Sequence, residues 1–169
     1  MNEMKKELIA PCGMNCRLCI GYQREKNKCA GCRNDIDIRN KPTGCVSCTI
    51  KNCHVIKENK SEFCFECDKM PCNRLKQLDK RYKTKYHMSM LENLNYIKES
   101  GIEKFIDNEE SRWACPKCGN IVSVHRTECQ KCGEKIFGWN TLVNWITLFI
   151  SQTYNEIKKV EGSWWNKTS

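Results

Sequence analysis

Fifteen cysteines in a chain of 169 residues constrain this protein more than any other feature. At roughly one residue in eleven, with aromatics only 9%, sulfur cross-links must replace part of the hydrophobic core, as disulfides or as metal sites. The opening segment, Met1 to Pro11, carries two acids and two lysines and lacks the unbroken apolar run of a secretory signal, so a cytoplasmic location is expected. Disulfides rarely persist there, and an odd count would strand one thiol. Closely paired Cys-x-x-Cys units are what a tetrahedral metal ion requires, and metal is the reading adopted.

The sharpest unit lies late in the chain. Cys115-Pro-Lys-Cys118-Gly and Cys129-Gln-Lys-Cys132-Gly are separated by ten residues, and each pair is followed by a glycine that lets the chain turn back toward sulfur. This is the sequence form of a zinc ribbon holding one ion on Cys115, Cys118, Cys129 and Cys132. The β-prone Ile121, Val122 and Val124 between the pairs predict a short hairpin, and His125 reads as a surface histidine.

Eleven cysteines precede residue 73. They read Cys12, Cys16 and Cys19; then Cys29 and Cys32; then an internal repeat, Cys45, Cys48, Cys53 and Cys64, Cys67, Cys72, whose copies are ten residues apart. His54 follows Cys53 directly and is a twelfth candidate ligand, which would complete three four-ligand sites. With the ribbon this predicts about four Zn2+ per chain. Both sulfurs of each Cys-x-x-Cys are expected on one metal, while the combination of pairs stays open.

These units, as Ala10-Pro-Cys-Gly-Met-Asn-Cys-Arg-Leu-Cys19, Cys29-Ala-Gly-Cys32, Cys45 to Cys53, Phe63-Cys-Phe-Glu-Cys-Asp-Lys-Met-Pro-Cys72 and Trp113-Ala-Cys-Pro-Lys-Cys-Gly, resemble a prokaryotic cysteine-rich family of unknown function taken to bind zinc. The likeness runs over about residues 9 to 133 and includes Leu91 to Phe105. It implies metal binding and brings no reaction with it.

Between the cysteine regions, Leu75, Leu78 and Tyr82, then Met90, Leu91, Leu94 and Ile97, recur at helical spacing. Gly101 should end the second helix, and a third, carrying Ile102, Phe105 and Ile106 inward, should show an acidic outer face. Trp139 to Val160 reads as an amphipathic helix, too broken in its apolar run for a membrane span, with Trp145 and Leu148 outside the main stripe as a surface for self-association. The expected fold is a small metal-stabilised α+β domain. Its parts are a cysteine-rich zinc-knuckle region (1–72), a short helical layer (73–112), a zinc-ribbon hairpin (113–137) and a C-terminal amphipathic helix with its tail (138–169).

The formal charge of +9 suggests a polyanion partner until the metal is counted. Four divalent ions add eight charges and fifteen thiolates remove fifteen, so +9 becomes +2. A protein partner is therefore the preferred reading, with a nucleic-acid module as its main rival, resting on Lys76, Lys80, Arg81, Lys83 and Lys85 interleaved with Tyr82 and Tyr86. Cys12, Cys16 and Cys19 have the spacing of radical S-adenosylmethionine enzymes, but nine glycines and eight more cysteines in the same region do not suit such a barrel, and iron–sulfur ligation is the lesser alternative. Glu62, Glu66 and Asp68 flank the second repeat and could serve a hydrolytic metal, yet cysteine-rich sites are usually closed. No catalytic residue is named, and an enzyme is not the favoured reading.

Overall fold

A computed structural model describes residues 4–34, 38–58 and 60–136. The amphipathic helix expected at Trp139 to Val160, with Trp145 and Leu148, lies outside the described residues. Three short helices belong to the cysteine-rich region: α1 (Ile20–Gln23), α2 (Thr43–Val46) and α3 (His54–Glu58). Three-residue 3-10 turns stand at Lys6–Leu8, Cys16–Leu18 and Cys64–Glu66. The longer helices α4 (Asn73–Tyr86), α5 (Met90–Ser100) and α6 (Ile102–Arg112) follow, and the last cysteine unit carries no helix.

The helical layer forms where the apolar spacing places it. In α4 Leu75 is buried and Leu78 and Tyr82 pack half-buried against the core. In α5 Met90, Leu94 and Ile97 are buried, and in α6 Phe105 and Ile106. The corner between α4 and α5 is held by a polar relay. Buried Asp79 accepts from the Ser89 hydroxyl (2.7 Å) and the Leu91 amide (3.1 Å), and Ser89 in turn accepts from the Glu92 amide (3.1 Å) as the N-cap of α5. His87 turns the chain there with a φ of 52°.

Cysteines 12, 53 and 64 belong to the same core cluster as Ile9, Leu18, Leu75, Leu94 and Phe105, so the helical layer is packed directly on the cysteine turns. Gly13 makes the closest approach. Its φ is +83°, and a Cβ added to it would lie 3.0 Å from both Leu94 Cγ and the Met90 carbonyl oxygen. Asn93, buried on α5, donates to the Gly13 carbonyl at 2.9 Å.

Two expectations change. The fold is mostly helical, and among the described residues β structure amounts to three isolated antiparallel bridges: Ile9 with Asn15, Ala114 with Ile121, and Glu128 with Lys135. Around the Ala114–Ile121 bridge, Cys115 donates to the Asn120 carbonyl and Val122 to the Trp113 carbonyl (both 2.8 Å), a short local antiparallel pairing, while Val124 donates to the Leu18 carbonyl (2.9 Å) and ties the loop to the first cysteine turn. The outer face of α6 is also not uniformly acidic. Glu109 is fully buried and accepts from the Trp113 indole at 3.2 Å.

Candidate metal centre

The last cysteine unit builds its site from two copies of one turn. Cys115 and Cys129 each start a knuckle in which the glycine after the second cysteine donates back, Gly119 to the Cys115 carbonyl (2.8 Å) and Gly133 to the Cys129 carbonyl (2.9 Å). These glycines have φ values of +68° and +71°, which side chains disfavour. The amides of Cys115 and Cys129 reach forward to the Asn120 and Glu134 carbonyls, both at 2.8 Å, and a bridge closes each knuckle.

The two turns face each other. The sulfurs of Cys115, Cys118, Cys129 and Cys132 lie within 4.8 Å of one another, with Cys115 to Cys132 and Cys118 to Cys129 at 3.6 Å. Metal–sulfur bonds of about 2.3 Å give a tetrahedron with edges of about 3.8 Å, so this donor set fits a single four-coordinate ion. Burial opposes ionisation of Cys129, but the Cys132 and Lys131 amides aimed at its sulfur outweigh it and bring the thiol down to about 6. At Cys132 the Glu134 amide favours the thiolate, whereas burial and the hydrogen-bonded thiols Cys118, Cys115 and Cys129 push it up to about 12. Four sulfurs this close cannot all ionise without a cation among them.

Among the described residues this is the one group of three or more candidate ligands gathered so tightly. His54 and the eleven N-terminal cysteines form no such group; His54 is exposed at the start of α3. The described thiols are free of disulfides, and Cys12, Cys16, Cys29, Cys53 and Cys64 are buried. Contacts also run from one sequence pair to the next. The Cys32 amide donates to the Cys16 sulfur at 3.2 Å, and a Cβ on Gly21 would touch both the Cys19 sulfur and the Cys29 Cβ at 3.7 Å. Thus Cys16 lies against Cys32 and Cys19 beside Cys29, although Cys16 and Cys19, like Cys29 and Cys32, are sequence neighbours.

Burial raises most of these thiols. Desolvation, reinforced by neighbouring Cys48, takes Cys32 up to about 11, and desolvation with Cys72, Cys53 and Cys67 takes Cys64 up to about 12. Cys12 and Cys16 are raised further by burial. Cys53 goes the other way: against desolvation, the Ile56 and Val55 amides and the Arg74 guanidinium bring it below its ordinary value. Arg74, in the first turn of α4, donates to the Cys53 sulfur at 3.3 Å and to the Thr49 carbonyl at 2.9 Å. Sequence reasoning missed this arginine; its one signal is a basic residue two positions after Cys72.

The rival sites are engaged in packing. Tyr82 and Tyr86 pack at a tilt against each other, 5.1 Å between ring centres, and both meet His125 edge to face; His125 is half-buried rather than a surface histidine. The Ile20 amide points at His125 Nδ1 (3.5 Å), Tyr82 meets its Nε2 (3.3 Å), and burial lowers its pKa. Lys83 pairs with Glu92 at 2.9 Å. Glu66 accepts from the Phe63 amide (3.0 Å), and Glu62 pairs with Lys6 (2.9 Å).

Residues 8–77 match the model of a family described as a protein of unknown function (DUF3795). The matched stretch contains the eleven N-terminal cysteines and ends within α4; the rest of the helical layer and the last cysteine unit, over which the resemblance was also drawn, lie beyond it. No curated protein and no solved structure matches the chain.

Proposed function

We propose that this is a zinc-binding protein whose sites are closed and structural, and that it works as a module for protein interaction or regulation. The observation that carries the reading is the Cys115, Cys118, Cys129 and Cys132 quartet, four soft donors within 4.8 Å that leave no protein-side role for a fifth ligand. An ion there would hold the two knuckles together, with Val122 packed among the cysteines of the quartet and Val124 joined to the main core beside the first cysteine turn. The remaining cysteines supply ligands for further ions, about four in all with His54 as the twelfth N-terminal ligand.

The packing of Tyr82 and Tyr86 on His125 argues against an aromatic platform for bases, since stacking needs free ring faces. No helix among the described residues is long and apolar enough to cross a membrane. Elemental analysis of anaerobically purified protein should find about four zinc ions per chain. Complete chelation should raise hydrogen exchange first in residues 1–72 and 113–136, which contain the cysteine turns a metal would fasten. One zinc or fewer, or iron with sulfide, would overturn the proposal.

A further inference from the structure

The two Cys-x-x-Cys-x4-Cys repeats look equivalent, as though each supplied three ligands to a site of its own. The packing treats them differently. A cavity of about 50 Å³ is lined by Cys53 from the first repeat together with Cys64, Cys67 and Cys72, the whole of the second. Its other walls are largely apolar: Ile50, Val55, Ile56, Met70 and Leu75. Cys45 and Cys48 do not line it.

We propose that Cys53, Cys64, Cys67 and Cys72 hold one thiophilic divalent ion of the zinc class, with Arg74 as the positioning residue that hydrogen-bonds the Cys53 sulfur. This rests on the metal-binding reading above and adds the assignment of ligands. Three features carry it. Four cysteines line one cavity, and soft donors of this type select zinc over hard cations. Apart from Lys69 and Arg74 the remaining walls are apolar, so no carboxylate or imidazole there competes with sulfur for the ion. A divalent ion on four thiolates retains two negative charges, and the Arg74 guanidinium, 3.3 Å from the Cys53 sulfur and anchored on Thr49, offsets one of them. Cys72 caps α4 and Arg74 lies in its first turn, so the ion would fasten that helix to the turn ending at Cys53.

Counting ions in the full chain tests the assignment. Cys53→Ser, Cys64→Ser and the double variant should each carry one zinc fewer than wild type, because both cysteines serve one ion. If Cys53 instead belongs with Cys45 and Cys48, the double variant loses two, which overturns this proposal and leaves the metal-binding reading standing. A wild-type chain that holds no zinc overturns both. Arg74→Leu keeps every cysteine and therefore reports even where a cysteine variant fails to fold. It should weaken one ion about 10- to 100-fold in competition with a chelator while the others bind as before, and Arg74→Lys should recover part of the loss. Unchanged affinity of every ion in Arg74→Leu would also refute the assignment.

Discussion

Replacing Gly13 by alanine tests how the first cysteine turn is seated. The residue has a φ of +83°, where a side chain costs about 1–2 kcal/mol. Its new Cβ would meet Leu94 Cγ and the Met90 carbonyl oxygen at 3.0 Å and Asn93 Cβ at 3.3 Å. Leu94 is fully buried, and the Met90 carbonyl belongs to the backbone of α5, so neither can swing aside; such overpacking costs about 1–3 kcal/mol. Together Gly13→Ala should destabilise the protein by about 2–5 kcal/mol, a large part of the 5–15 kcal/mol typical of a domain. Urea unfolding of the metal-loaded protein at fixed free zinc should show it as a midpoint lowered by about 1 M or more, given slopes of about 1–3 kcal/mol/M. Gly44→Ala is the control: a Cβ there meets nothing within 4 Å, and in α2 alanine should be neutral or stabilising by up to about 1 kcal/mol. If the two variants unfold at the same urea concentration as wild type, the turn at Cys12 is not docked on α5 and the packing argument fails.

Two further substitutions probe buried acids. Burial holds the Glu109 carboxyl above its ordinary range, against the weaker pull of Arg112, Trp113 and Asn15, and its Oε2 has no hydrogen-bond partner. The folded state therefore binds the proton more tightly than the unfolded one, so the contribution of this group is most favourable below its unfolded pKa and falls as pH rises through the folded one. Glu109→Gln should flatten that dependence and gain on the order of 1 kcal/mol at neutral pH; a variant less stable than wild type throughout about pH 5 to 8 would contradict this. Asp79→Ala should cost about 2–3 kcal/mol in thermal or urea unfolding by removing the acceptor for Ser89 and Leu91, and Asp79→Asn should restore more than half. Equal losses in the two would mean that the relay at the α4–α5 corner is not what holds it.

The last cysteine quartet and the three long helices were legible in the chain because both are local. Two residues between cysteines and a glycine after them shape a knuckle without reference to the rest of the fold, and apolar residues at i, i+3 and i+4 share one helix face wherever the helix lies. Only part of the stretch Ile121 to Val124 was local in this sense. Val122 pairs across the same knuckle with Trp113, but the Val124 amide finds Leu18, which is distant in sequence. Glu109 likewise reads as one more acid on a polar face, and only the seating of α6 beside Trp113 and Asn15 buries it. The N-terminal cysteines show the limit most plainly. Spacing says which sulfurs can reach one ion, but Cys16 lies against Cys32, Cys19 beside Cys29, and Cys53 around one cavity with Cys64, Cys67 and Cys72. Those groupings depend on which turns the core of Ile9, Leu18, Leu75 and Leu94 brings together, because burying shared apolar surface fixes the approach of segments that no local spacing relates.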